Sequence, residues 1–327
     1  MSGGSSAGNP VSTVEPNVEA LARLGAAVRD TGYSFTTITP RSHAIVNERR
    51  GNEEARSLRD VFGWSRPFRK DLLPPHIFTM LRDLRLLEER DGRHRSLVRF
   101  SSLGDTLYMH SAFPTEAKDA VFFGPDTYKF VDAIVDLLGR RCRPIRRAAD
   151  ICSGSGPGAL TVAGAAPAAD VFMSDINPTA LRYAAANAAL AGRPNAHPCF
   201  SDKLASLDGD FDIIVAHPPY LVDRTSRAYR HGGGALGADL SIAIVRNALE
   251  RLAPGGTLLL FTGVAIVDGE DAFKAIIGGF ATQSGCEWTY REVDPDVFGE
   301  ELTFAAYAEA DRIALVVFEA TRREGSS

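Results

Sequence analysis

Beyond residue 146 the chain alternates short apolar runs with longer segments in which apolar residues recur at helical spacing. The apolar runs predict strands, and the segments between them predict helices. The predicted strands are Arg146–Ile151, Ala169–Ser174, Ala196–Ser201, Phe211–Ala216 and Thr257–Thr262, and the helices among them are Pro157–Ala165, Pro178–Ala191 and Asp239–Leu252. Apolar strands that alternate with helices indicate an α/β fold in which a parallel sheet is covered on both faces.

The pattern extends at both ends of this half of the chain. An amphipathic helix is predicted at Asp126–Leu138, ahead of the first strand, and a further helix at Asp271–Thr282. Two more strand-like runs follow, Glu287–Val293 and Arg312–Ala320. We therefore expect one large sheet with helices between its strands.

The first third of the chain has a different pattern, with short helices followed by strand-like runs. Asn17 can cap a helix at Val18–Val28, and further helices are predicted around Arg41–Glu48 and Glu53–Phe62. Pro74-Pro75 begins a stronger helix, because proline suits the first helical turn. The apolar face of that helix comprises Ile77, Met80, Leu81, Leu84 and Leu87.

Asp91-Gly92 then predicts a turn, followed by two strand-like runs at Ser96–Ser101 and Asp105–His110. Helices followed by a β-ribbon indicate a small winged-helix-like α+β domain at residues 17–118. Residues 119–327 would form the second domain. Residues 1–16 have nothing to bury and are predicted to be a disordered tail.

The composition is typical of a globular protein, but its charge is uneven. Of 327 residues, 45% are hydrophobic and 24% are charged, with a net charge of −5. The segment Arg41–Phe100 instead carries 14 Lys and Arg against 9 Asp and Glu. Such a region can bind RNA, DNA or an acidic partner. It can equally be a solvated helical face, since Arg and Glu alternate in Arg82–Arg93.

The cysteines and the apolar segments indicate a cytoplasmic protein. The four cysteines are far apart and include no Cys-x-x-Cys pair, which predicts reduced thiols and no metal site. No apolar stretch approaches the length of a membrane span. The Gly/Ser-rich start lacks the apolar segment of a signal peptide. We expect no membrane partner.

A glycine-rich turn follows the first strand of the alternating half. Asp150 lies at the end of this strand, and Gly154, Gly156 and Gly158 come after it. Glycine permits both a tight turn and the close approach of backbone to a ligand. The spacing is one residue short of the Gly-x-Gly-x-x-Gly pattern of dinucleotide-binding proteins, and no second motif would seat a nicotinamide. A dehydrogenase is therefore disfavoured.

Polar residues also end the next three strands, where ligands of open α/β sheets bind. Asp175 closes the second strand, and a carboxylate there can accept hydrogen bonds from both hydroxyls of a ribose. Asp202 ends the third strand, and the fourth runs into His217–Tyr220, His-Pro-Pro-Tyr. Each has a plainer explanation: Asp175 can cap the helix at Pro178, Asp202 can begin a turn, and His217 can be a structural polar residue.

The order and spacing of these motifs resemble the class I S-adenosylmethionine-dependent methyltransferases, especially the branch with an Asn-Pro-Pro-Tyr motif. Phe123–Tyr128, Gly232–Asp239 and Ala253–Gly256 are also similar to segments of the release-factor glutamine methyltransferases. The resemblance covers residues 120–320 and implies a Rossmann-like sheet of seven strands whose last strand is antiparallel. Because the N-terminal region does not resemble that family's substrate-reading domain, the substrate cannot be carried over.

The resemblance implies S-adenosylmethionine as cofactor and a role for each motif residue. The cofactor-binding residues would be Asp150, Cys152, Ser153, Gly154, Gly156, Asp175, Ile176 and Asp202, the last against the adenine amine. The catalytic residues would be His217, Pro218, Pro219 and Tyr220, and the substrate-binding residues Phe123, Pro125, Thr127 and Arg230. Cys152 replaces the family's usual first glycine, a change that the glutamine-methylating branch tolerates.

His217 departs from the family pattern, which has Asn, Asp or Ser at this position. A rigid Pro-Pro turn can hold a backbone carbonyl and a polar side chain as two acceptors for the N–H bonds of an amide, while Tyr220 stacks on a planar group. Neutral imidazole offers one acceptor nitrogen and can act as a base, but it cannot copy the geometry of an amide. A carbon, oxygen or different nitrogen acceptor becomes possible beside glutamine.

Three functions stay open from the sequence. The first is methylation of a protein glutamine amide, which follows from the resemblance. The second is methylation of an exocyclic amine in RNA or DNA, which follows from the basic N-terminal region and the aromatic residue after Pro-Pro. The third is a non-catalytic nucleic-acid-binding module that retains the cofactor fold. The basic loop containing Arg224, Arg227 and Arg230 can close over an anionic substrate or have no such role.

Overall fold

A computed structural model describes residues 17–223, 227 and 229–325. The predicted tail, residues 1–16, and the loop residue Arg224 lie outside the described residues. The helices are α1 Val18–Arg29, α2 Pro40–Asn47, α3 Leu58–Phe62, α4 Pro75–Asp83, α5 Pro125–Arg140, α6 Pro157–Ala165, α7 Pro178–Leu190, α8 Asp239–Glu250 and α9 Ala272–Gln283. The strands are β1 Leu87–Arg90, β2 Arg93–Ser96, β3 Val98–Leu103, β4 Thr106–Ser111, β5 Arg147–Ile151, β6 Asp170–Asp175, β7 Ala196–Phe200, β8 Phe211–Ala216, β9 Leu252–Val267, β10 Cys286–Asp294 and β11 Ala310–Arg322.

The second half of the chain forms one seven-stranded sheet in the order β10-β11-β9-β8-β5-β6-β7. The strands from β9 to β7 are parallel to their neighbours, whereas β11 lies antiparallel between β9 and β10. Helices cover both faces, with separate apolar cores on each side of the sheet. The predicted Rossmann-like class I methyltransferase sheet, with its antiparallel last strand, is confirmed.

The order in which successive strands are added to the sheet reverses at β5. This strand pairs with β6 on one side and with β8 on the other, so the loops that follow β5 and β8 meet at the same edge. Ligands of doubly wound sheets bind at such a switch point. The glycine-rich turn after β5 and the His217–Tyr220 turn after β8 are therefore neighbours in space, as their positions at strand ends predict.

The first third of the chain contains α1 to α4 and two hairpins, β1–β2 and β3–β4. Asn17 caps α1 by accepting a hydrogen bond from the Glu19 backbone N–H, as predicted. The placement of Leu87 on the α4 face is wrong, because α4 ends at Asp83 and Leu87 begins β1. Arg85 between them has a positive φ of 56°, which no helix continues through.

This N-terminal region packs on α7 of the sheet domain. Leu21 and Leu24 of α1 belong to the same buried cluster as Tyr183 of α7. Asn187 of α7 is fully buried, and its Nδ2 donates to the carbonyls of Met109 (3.0 Å) and Ser155 (2.9 Å). This side chain ties β4 to the glycine-rich turn. The winged-helix-like domain at 17–118 stays a prediction.

Candidate active site

A cavity of about 140 Å³ opens at the switch point, beyond the carboxyl ends of β5, β6 and β8. Its walls come from the glycine-rich turn, the segment after β6, the turn after β8 and the start of α5. The predicted site residues that line it are Cys152, Ser153, Gly154, Asp175, Ile176, His217, Pro218, Pro219, Tyr220 and Thr127. The structure thus gathers most of the residues that the motifs singled out.

Six predicted residues do not line this cavity. Asp150 and Gly156 lie beneath the turn, and Pro125 begins α5. Phe123 is buried against the ring of His110, because its neighbour Phe122 takes the cavity side of the chain. Asp202 has an exposed side chain that pairs with Lys203 at 2.6 Å, and Arg230 pairs with Glu301.

The glycine-rich turn folds tightly over the end of β5. Gly154 and Gly156 have positive φ values of 54° and 90°, a conformation that glycine adopts without strain. A Cβ at Gly156 would also lie 3.1 Å from Met173 Sδ. Cys152 adopts a φ of 60°, and burial raises the pKa of its thiol well above the usual value, so it is a neutral wall of the site.

Asp175 joins the turn to the segment after β6. Its Oδ2 accepts from the Gly154 N–H at 2.9 Å, and its Oδ1 accepts from the Asn177 N–H at 2.8 Å. Burial raises the pKa of Asp175, and these N–H groups act in the opposite direction. The carboxylate lines the cavity. Each oxygen has lone pairs left for a ligand.

Buried polar atoms without partners around the turn fit S-adenosylmethionine. Among the described residues these include Asp150 Oδ1, Ser153 Oγ and Ser155 Oγ. An acceptor suits the cofactor's ammonium group, and hydroxyl groups can donate to its carboxylate. Asp150 Oδ2 is already used, because it accepts from the Ala159 N–H at 2.8 Å at the start of α6. The donor and acceptor set of the turn matches this cofactor.

His217 lies in a buried hydrogen-bonded cluster with Asp126. Its Nδ1 is 3.1 Å from the Phe261 carbonyl oxygen, and its Nε2 is 3.4 Å from Asp126 Oδ2. Asp126 Oδ2 also accepts from the Tyr220 hydroxyl at 2.9 Å. Burial acts to raise the pKa of Asp126, but its contacts with His217, Tyr220 and the Thr127 N–H hold it below the usual value.

The contacts of His217 connect the Pro-Pro turn to two other elements. Its ring nitrogens lie next to the Phe261 carbonyl oxygen of β9 and to Asp126 Oδ2 at the start of α5. A neutral imidazole carries a hydrogen on one nitrogen and can donate it to one of these acceptors. Sequence reasoning missed Asp126 as a site residue, although it lies inside the Phe123–Tyr128 segment that carried part of the resemblance.

Gly263 of β9 provides the space for the Tyr220 ring. A Cβ at Gly263 would lie 2.2 Å from Tyr220 Cδ2, so Gly263→Ala must displace the ring. We expect this variant to lose about 1–3 kcal/mol of unfolding free energy, as overpacking does, and most of its turnover. Gly279→Ala is the matched control, because a Cβ there meets nothing within 4 Å. Thermal unfolding and turnover of S-adenosylmethionine are measured for both variants. Equal stability and equal turnover of Gly263→Ala and Gly279→Ala would contradict the prediction.

Asp150 makes the stability of the ligand-free protein depend on pH. Burial and the charge of Asp175 raise the pKa of Asp150 to about 7, although the hydrogen bond from the Ala159 N–H acts to lower it. A raised folded pKa contributes stability at low pH that is lost as the pH rises through about 7. Asp150→Asn should therefore gain unfolding free energy relative to wild type between pH ~6 and pH ~8. Denaturant unfolding at both values tests this, and a constant difference would contradict it.

Within residues 17–223, 227 and 229–325, no group of three or more His, Cys, Asp and Glu side chains could hold a metal ion. Across the same described residues, none of the helices combines the length and apolar character needed to cross a bilayer.

Comparisons with known proteins each match part of the chain. The protein-family model "Methyltransferase small domain" matches residues 128–279. The chain is 36% identical over 146 residues to the release factor glutamine methyltransferase of Deinococcus radiodurans, covering 42% of this chain and 51% of that protein. It is 32% identical over 148 residues to the ribosomal protein uL3 glutamine methyltransferase of Neisseria meningitidis serogroup A, covering 40% and 49%.

A third relative is named for an aromatic amine substrate. The chain is 34% identical over 152 residues to the 4-amino-L-phenylalanine/4-methylamino-L-phenylalanine methyltransferase of Streptomyces pristinaespiralis, covering 42% of this chain and 52% of that protein. The chain spans about half the length of each of these relatives.

Proposed function

We propose that the chain uses S-adenosylmethionine to methylate a nitrogen atom held at the His217–Tyr220 turn, and the match of residues 128–279 to the family model "Methyltransferase small domain" supports this. The observation that carries the proposal is the single cavity shared by Asp175, the glycine-rich turn and this Pro-Pro turn. The cofactor supplies an electrophilic methyl group. Ser153, Gly154 and Asp175 would hold it, with Asp150 beneath them.

The chain's own contribution would be orientation of the nucleophile. The carbonyl oxygens of His217 and Pro218 belong to residues that line the cavity, and no described residue donates a hydrogen bond to them. These oxygens can accept from a substrate N–H and aim the nitrogen lone pair. The Asp126–His217 contact and the Tyr220–Asp126 hydrogen bond fix the turn, so little reorganisation is needed when the substrate binds.

A protein glutamine amide is the acceptor that we propose first. Two of the relatives described above are named glutamine methyltransferases. In this proposal the backbone carbonyl oxygens accept from the amide N–H in place of the first side chain of the motif, because the His217 ring contacts the Phe261 carbonyl and Asp126. Apolar side chains form part of the cavity wall, and they include Phe122, Phe130 and Leu240.

An aromatic or exocyclic amine is the second candidate. Phe122 and Tyr229 stack with ring centroids 5.5 Å apart and an interplanar angle of 17°, and both line the cavity. Such a pair offers flat apolar surface to a planar ring. The RNA or DNA amine proposed from the sequence belongs to this candidate, and so does a small aromatic amine.

Labelled cofactor distinguishes these acceptors. Wild-type protein is incubated with S-adenosylmethionine tritiated on the methyl group and with a cell extract, and Asp175→Ala is the control. A methylated glutamine amide releases volatile labelled methylamine on acid hydrolysis of the protein fraction, whereas a methylated ring amine leaves the label on a nucleoside or an amino acid. No labelled product and no cofactor binding by calorimetry would overturn the proposal.

A further inference from the structure

A groove of about 890 Å³, the α7 groove, lies between the N-terminal region and helix α7. Its walls include Leu21 of α1, Leu97 between β2 and β3, residues 111–117, and Thr179 and Tyr183 of α7. The volume is in the range of about 300–1,000 Å³ that ligand sites have. The cofactor cavity has its own walls beyond the ends of β5, β6 and β8, so the α7 groove is available to another molecule.

The α7 groove and the cofactor cavity meet along one segment of the chain. Residues 111–117 line the groove, residues 120–122 line the cavity, and Ala120 lines both. Tyr229, which also lines the cavity, donates from its hydroxyl to the Thr115 carbonyl oxygen at 2.8 Å. A molecule that lies along this segment can therefore extend from the groove into the cofactor cavity.

This segment has backbone groups that the described part of the chain leaves unused. Thr115, Glu116 and Ala117 line the groove, and no described residue accepts a hydrogen bond from their backbone N–H groups. An extended peptide binds such backbone by supplying its own C=O and N–H groups. Leu97 adds an apolar contact point, because it lines the groove and 43% of its surface is exposed.

The charges of the α7 groove favour a polypeptide over a nucleic acid. Four carboxylates and three guanidinium groups line the groove, so negative groups outnumber positive ones. Glu88, Glu116 and Arg85 are among them and are exposed. An RNA or DNA backbone is a polyanion and is bound by a surplus of Lys and Arg. A polypeptide can carry side chains of both signs, which suits a wall of mixed charge.

We propose that the α7 groove binds an extended segment of the protein substrate, so that a glutamine of this segment enters the cofactor cavity. The inference rests on the proposed methylation of a glutamine amide and adds the surface that recognises the substrate. Most of the lining residues come before residue 128, where the match to the family model begins. Recognition is thereby assigned to the part of the chain that this match does not cover.

Two groove variants with matched controls test the proposal. Leu97→Asp places a charge at the apolar contact point, and Ile45→Asp does so at an apolar residue of similar exposure, 46%, that does not line the groove. Glu88→Lys reverses a charge of the groove. Glu89→Lys does the same at its exposed neighbour, which points to the other face of β1 and does not line the groove.

The probe is a display library of short random peptides, each with one glutamine, selected on the immobilised full chain. Fluorescence anisotropy of selected peptides should show affinities lowered about tenfold or more by Leu97→Asp and Glu88→Lys. The two control variants should stay within about twofold of wild type. The proposal is overturned if no peptide is selected, or if the groove variants bind the selected peptides as the controls do.

Two other occupants are titrated in parallel. Binding of a short uridine RNA that Leu97→Asp and Glu88→Lys abolish would assign the groove to nucleic acid and overturn the proposal. A synthetic peptide of residues 1–16 of this chain that outcompetes every selected peptide would assign the groove to the chain itself, with the same consequence.

S-adenosylmethionine binding, measured by calorimetry on the same samples, should be unchanged in all four variants. Peptide binding without cofactor binding would remove the proposed methyltransferase activity and leave the groove. Cofactor binding without peptide selection would do the reverse.

Discussion

Asp175→Ala should weaken S-adenosylmethionine binding by about 100-fold or more. The substitution removes a buried carboxylate that lines the cavity and accepts from the Gly154 and Asn177 N–H groups. Two effects add: the ribose loses its acceptor, and the glycine-rich turn loses the contact that joins it to the end of β6. Charged hydrogen bonds contribute about 1.5–3 kcal/mol each, so losing two accounts for the expected change. Calorimetric titration with the cofactor measures it.

Asp202→Ala is the matched control for this measurement. The sequence places both carboxylates at strand ends, but the Asp202 side chain is exposed, pairs with Lys203 and lies outside the cavity lining. Exposed ion pairs contribute little. We therefore expect cofactor affinity within about twofold of wild type for Asp202→Ala. Equal losses for the two variants would mean that the adenine lies against Asp202, as the resemblance implies. That result would contradict the placement of the cofactor in the cavity lined by Asp175.

The sheet domain was predictable because its signals are local. The predicted helix Pro157–Ala165 and strand Phe211–Ala216 have the observed bounds. The strand predicted at Thr257–Thr262 is far longer, Leu252–Val267, because β11 pairs with it as far as Val267 and Phe211 of β8 pairs with Leu252. Strand length in a sheet depends on the partner, which periodicity along one segment does not reveal.

Other features depended on contacts that the chain forms only when folded. The β1–β2 hairpin was not predicted, although its Asp91-Gly92 turn was, because Leu87–Arg90 and Arg93–Ser96 are mostly polar and lack an apolar period. The role of Asp126 was missed for a related reason. At the start of an amphipathic helix an acidic residue normally favours the helix dipole. Only the fold brings it within reach of His217, 91 positions further along the sequence.

The same contact explains how the site can work without the family's usual first residue. In the Asn-Pro-Pro-Tyr branch the first side chain can itself accept from the substrate, whereas His217 is held by the Phe261 carbonyl and Asp126. The protein would then rely on a rigid turn, with Tyr220 anchored to the same carboxylate. Rigidity at the reacting nitrogen contributes to the rate because a small misplacement is costly. Asp126 is thus a positioning residue in the proposed reaction.

Asp126→Asn and His217→Ala should each lower kcat about 100-fold while leaving S-adenosylmethionine affinity within about twofold of wild type. Because the two side chains act as one unit, the double variant should lose little more than either single variant, and a double-mutant cycle measures this coupling. Asp132→Asn, at an exposed position of the same helix, is the control and should keep full turnover. Losses that multiply in the double variant would show that His217 acts on the substrate independently of Asp126. The role of His217 would then be that of an acceptor or a base, in spite of both its ring nitrogens facing the protein.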